Sequence, residues 1–105
     1  MIAPGTVGRV WIGWLEFDIL LGDVHSLKQK RAVIRPLVAE LRRLEVSVGE
    51  VDDHDLHRRA RIGVAVTSGD PAHVTRVLDT VERLVAERPE IELLSARRRL
   101  ASSDD

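Results

Sequence analysis

The chain has 105 residues, 44% apolar and 31% charged, with 16 basic against 17 acidic side chains. That length supports one domain with a single core, and near-neutrality excludes a protein that coats nucleic acid through bulk positive charge. With no cysteine, disulfide frameworks, thiolate nucleophiles and Cys-ligated zinc are excluded as well.

The first residues lack the basic and apolar regions of a secretory signal, and no run reaches membrane-spanning length, so a cytoplasmic protein without membrane contact is expected. From Arg9 to Leu20 the residues alternate as a strand. Trp11, Gly13, Leu15, Phe17 and Ile19 share one parity; Val10, Ile12, Trp14, Glu16 and Asp18 share the other. Gly22-Asp23 mark a turn. Ser26 and Gln29 then have the spacing of a capping box, so a helix starts at this point. Ile34, Leu37, Val38 and Leu41 form its apolar stripe. Pro36 lies within the stripe, which predicts one kinked helix to about Leu44 rather than two helices.

Val46 to Asp52 reads as a second strand, rich in β-branched residues. The polar run from Asp53 to Arg59 comes next as a loop, and Ala60 to Ser68 is the third strand. Asp70-Pro71 signals a helix start, a cap with proline at the first helical position. That helix buries Val74, Val77, Leu78, Val81, Leu84 and Val85 and ends at Arg88-Pro89, since the residue before proline resists helix. Ile91 to Leu100 is the fourth strand. One domain over 9–100 is expected, with 1–8 and 101–105 as flexible termini.

The order βαββαβ predicts an α+β, ferredoxin-like fold: a four-stranded antiparallel sheet with two helices on one face. Its first and third strands are central. Trp11, Leu15, Phe17, Ile19, Ile62, Val64 and Val66 would face the helices. Val10, Ile12 and Trp14 would lie on the open face beside Gly63, Ala65 and Thr67, an apolar surface suited to an interface between two copies.

Charge is uneven along this fold. Ser26 to Arg43 holds six basic residues, Lys28, Lys30, Arg31, Arg35, Arg42 and Arg43, against Glu40 alone. Residues 50–55 carry Glu50, Asp52, Asp53 and Asp55, and Arg97-Arg98-Arg99 form a second basic cluster. Cations in a first helical turn oppose the helix dipole, at roughly 0.3–1 kcal/mol each when exposed. A phosphate bound by Ser26, Lys28, Lys30, Arg31 and Arg35 would offset that cost. The competing view is a solvated helix face.

Other chemistries fit less well. Bases stacked on the sheet would need aromatics on both central strands, whereas Trp11, Trp14 and Phe17 all lie on the first. The run Asp52-Asp53-His54-Asp55-Leu56-His57 offers imidazoles and carboxylates without a recognised metal-ligand spacing, and no nucleophile accompanies it, so no metal or cofactor is expected. Small acylphosphatases share the predicted fold, but their phosphate loop needs an Arg and an Asn. Leu21 to His25 has no Arg, and the chain has no Asn.

The stretch Ser26-Leu27-Lys28-Gln29-Lys30-Arg31, the later Val46-Ser47-Val48-Gly49-Glu50-Val51, and Asp55-Leu56-His57-Arg58-Arg59-Ala60 followed by Gly63-Val64-Ala65-Val66 resemble the YlxP-like family of small bacterial proteins, domain of unknown function 503. The resemblance covers roughly 9–100. It implies the ferredoxin-like fold and a gene often found among translation-initiation and ribosome-maturation genes. His57 stands where the family often has Trp. Together with the misplaced charge, the resemblance implies a non-enzymatic RNA- or ribosome-associated factor, its partner a ribosomal RNA or ribosomal subunit. The alternative is a homodimeric structural or regulatory interaction module built on Val10, Ile12 and Trp14.

Overall fold

The chain folds as β1 (Trp11–Leu21), α1 (Leu27–Arg42), β2 (Ser47–Glu50), β3 (Arg59–Ser68), α2 (Pro71–Ala86) and β4 (Ile91–Ser102). The computed structural model describes residues 8–51 and 56–105. All pairings are antiparallel and the sheet order is β2-β3-β1-β4, so the fold is the expected ferredoxin-like α+β arrangement.

Strand parity decides which residues meet the helices. Leu15, Phe17, Ile19 and Leu21 of β1 are buried with Ala60, Ile62, Val64 and Val66 of β3. They meet Ile34, Leu37 and Leu41 of α1 and Val74, Leu78, Val81 and Val85 of α2 in one core. Trp11 packs against this core while remaining half-buried. Helix α2 lies close to β1 at Gly13, where a Cβ would come within 2.4 Å of Val74 Cγ1 and 2.8 Å of Leu78 Cδ1. Glycine there sets the depth to which the helix seats on the sheet.

Helix α1 runs uninterrupted through Pro36. Pro36 and Ala32 are both exposed, so water can reach the carbonyl that loses its usual donor. The helix stops at Arg42, two residues before the expected Leu44. A turn over 43–45 replaces the last residues, with Glu45 at φ = 61° and its N–H donating to Arg42 O at 3.1 Å. Strand β2 is shorter than the expected Val46–Asp52, and Asp52 falls outside the described residues. Strand β4 continues two residues past the expected Leu100. Ser103 N–H donates to Val10 O at 2.8 Å, and Arg9 pairs with Asp104 at 2.7 Å, which draws the chain beyond 100 against the start of β1.

Candidate nucleic-acid interface

The start of α1 is capped from within the chain. Ser26 Oγ accepts from Gln29 N–H at 3.1 Å, and Gln29 Oε1 accepts from His25 N–H at 2.6 Å. This is a capping box whose return bond reaches one residue further back than the usual form. Ser26, expected as an anion ligand, thus has its hydroxyl oxygen engaged as the helix cap.

Lys30 departs most from expectation. It does not flank the cap in solvent: its side chain is 3% exposed, and Nζ lies 2.9 Å from Glu50 Oε2 and donates to Leu56 O at 2.9 Å. One ammonium thereby ties α1 to the edge strand β2 and to the backbone that precedes β3. The signal for this was present in the sequence. Lys30, Ile34, Leu37 and Leu41 fall at i, i+4, i+7 and i+11, which continues the buried stripe back to Lys30. An intramolecular carboxylate therefore offsets this cation, and no outside anion is needed for it.

The other cations of α1 lie elsewhere on the helix. At about 100° per residue, Lys28, Arg31, Arg35 and Arg42 fall within an arc of about 60°, turned by about 100–160° from Lys30. All four are exposed. Lys28, Arg31 and Arg35 have no ion-pair or hydrogen-bond partner among the described residues. Arg42 reaches only the Val48 carbonyl, at 3.5 Å. The one acid of the helix, Glu40, is turned away and pairs with Arg88. Two hollows flank the Arg31–Arg35 ridge: one of about 720 Å³ by Lys28, Ala32 and Pro36, one of about 510 Å³ by Ala39, Arg42 and Gly49, with the Lys30–Glu50 pair on its far wall.

The second basic cluster is matched internally. Arg97 pairs with Glu16 at 2.8 Å, Arg98 with Asp79 at 2.7 Å and Glu82 at 3.3 Å, and Arg99 lies over the Trp14 ring at 5.9 Å from its centroid. Sequence alone cannot separate the two clusters, because the neutralising acids lie 16 to 81 residues away along the chain.

Val10, Ile12 and Trp14 lie on the open sheet face, as their parity required, with Val10 exposed and the other two half-buried. The expected apolar character is confined to that end. Glu16 and Asp18 share the same parity and draw cations to themselves: Arg97 and Arg61 to Glu16, and Arg59, donating twice at 2.8 Å, to Asp18. A hollow of about 530 Å³ beside Trp14 is floored by Ser47, Gly63 and Ala65 and also lined by Val51 and Arg61. The candidate metal run falls mostly outside the described residues, which omit 52–55. Among the described residues no helix is long and apolar enough to cross a membrane.

Residues 12–98 match the family model described as Protein of unknown function (DUF503). The chain is also similar to Uncharacterized protein YlxP of Bacillus subtilis (strain 168), with 30% identity over 82 residues, covering 77% of this chain and 89% of that protein. On both counts this chain belongs to the DUF503 family.

Proposed function

We propose that the protein is a non-enzymatic, cytoplasmic factor that associates with RNA, in the setting of the ribosome, by holding phosphates on the outer arc of α1. Lys28, Arg31 and Arg35 make the contact, and Arg42 extends it. Lys30 holds the helix in place from behind. The observation that carries this is the allotment of charge: Arg97, Arg98 and Arg99 have intramolecular partners, while Lys28, Arg31 and Arg35 have none among the described residues. Lys and Arg on a helix face position a nucleic-acid backbone without reading its sequence.

Binding of ribosomal RNA and of small ribosomal subunits, monitored across a salt series, tests this. Reversing Lys28, Arg31 and Arg35 to Glu is expected to abolish binding at moderate salt, with thermal stability retained because none of the three holds the fold together. Unchanged binding by that variant refutes the assignment.

A second reading is a homodimer through the open face. It rests on Gly49 and Gly63, which oppose each other across β2 and β3. A Cβ would meet nothing at Gly49 and only ordinary contact with Val51 at 3.5 Å at Gly63, so packing within the chain does not demand glycine at either position. Glycine inside a strand is destabilising and often marks the close approach of another group. Trp14 of a second copy is the occupant offered by the same surface. Trp14→Asp should shift the protein to a monomer in analytical ultracentrifugation; an unchanged sedimentation coefficient removes this reading.

A further inference from the structure

We infer that the α1 face takes the backbone of double-stranded RNA in preference to a single strand, an inference that rests on the phosphate-binding role proposed above and narrows its ligand. Single strands are held by basic grooves that also stack bases on aromatic rings, and stacking supplies much of the affinity. The α1 face has no such platform. All three aromatics of the chain are on β1: Phe17 is buried, Trp11 packs against the core, and Trp14 lies on the opposite face of the sheet, under Arg99. Beside the cations of α1 the hollows are lined by Ala32, Pro36, Ile34, Val38 and Ala39, with Glu50 held by Lys30, and by no aromatic ring.

A surface of point charges with nothing to cover a base suits a ligand whose bases already stack on one another. A duplex presents fixed, closely spaced phosphates with its bases turned inward. Lys28 to Arg42 spans about 21 Å along the helix at 1.5 Å per residue, enough to track one backbone past several phosphates. An A-form major groove is too narrow for side chains to read, so a helix ridge laid across it meets the phosphates on its two rims. The contact is therefore independent of sequence. The hollows beside Arg31 and Arg35 give both guanidiniums room to turn toward either strand.

The test uses the full chain and three labelled probes of roughly 16 nucleotides: an alternating C/U strand, its A/G complement, and the duplex of the two. Fluorescence anisotropy reads binding between about 50 and 200 mM salt. The duplex is expected to bind about tenfold or more tightly than either strand, with a slope of log K against log salt near −3 to −4 for four contacts. Arg31→Gln with Arg35→Gln should make that slope shallower by about 2, with an unchanged melting curve. If either strand binds as well as the duplex, the preference for duplex is wrong and phosphate binding stands. If none of the three binds at low salt, phosphate binding on α1 falls too.

Discussion

Replacing Lys30 with Met tests whether a cation in the first turns of α1 belongs to the fold rather than to a ligand. Methionine matches the aliphatic length of lysine and removes the ion pair with Glu50 and the hydrogen bond to the Leu56 carbonyl. Breaking a fully buried ion pair by removing one partner costs about 3–5 kcal/mol, because the other charge is left uncompensated. Glu50 keeps 26% of its side-chain surface exposed, so water takes up part of that loss. The lower end, about 3 kcal/mol, is expected. For a domain of this size that lowers Tm by roughly 12–20 °C.

Glu50→Gln alone should cost a similar amount, since it strands an ammonium in a site only 3% exposed. The double variant, Lys30→Met with Glu50→Gln, leaves no buried charge and should recover most of the stability, to within about 1–2 kcal/mol of the parent. Urea denaturation of the four proteins closes the cycle and gives the coupling directly. Purely additive losses would show that Lys30 and Glu50 do not act as a pair. RNA binding by Lys30→Met supplies a second readout. Lys30 faces inward, so the variant should bind as the parent does at temperatures where both are folded.

Two further predictions concern the frame that carries this face. Gly13→Ala forces a methyl into contact distances of 2.4 and 2.8 Å with Val74 and Leu78, so a loss of about 1–3 kcal/mol is expected in urea. Adding Val74→Ala to it should return part of that loss; a Gly13→Ala midpoint equal to the parent's would refute the seating of α2 on β1. Glu45→Gly removes a side chain from a residue at φ = 61°, where non-glycine residues carry a penalty of about 1–2 kcal/mol. Part of that gain is offset by the greater freedom of glycine in the unfolded chain, so a net stabilisation of about 0.5 kcal/mol should appear in a thermal melt.

Most of the fold was legible because its determinants are local. The alternation through Trp11 to Ile19 and the proline-led cap at Asp70 each name an element without reference to the rest of the chain. Boundaries set by distant contacts were not legible. Strand β4 runs to Ser102 because Val10 and Arg9, at the other end of the chain, hold Ser103 and Asp104 beside the start of β1. The end of helix α1 was not legible for a local reason: a turn over 43–45 follows Arg42, and its Glu45 adopts a left-handed conformation that no propensity for glutamate suggests. The candidate site divides in the same way. That Lys28, Arg31, Arg35 and Arg42 share an arc is dictated by their spacing alone. That Lys30 does not belong with them is dictated equally by its place in the buried stripe, a periodicity that its charge disguises.

The partners of the remaining charges explain how a chain of net charge −1 keeps a cationic face. Glu16, Asp18, Glu40, Glu50, Asp79 and Glu82 each engage an arginine or lysine from another element, which fixes strand to strand and helix to sheet. Fold-holding pairs therefore engage these acids with cations other than those of the outer arc of α1. Glu40 shows this most clearly. It is the only acid on α1, it lies on the other side of the helix from Arg31 and Arg35, and it pairs with Arg88, just past the end of α2. Two nearby cations without a carboxylate repel each other, and that repulsion is relieved only by counterions or by a bound polyanion. Arg88→Ala, which frees Glu40 on the far side of the helix, should therefore leave the salt slope of RNA binding in fluorescence anisotropy unchanged; a slope shallower by about 1 would show that Glu40 reaches the cationic arc after all.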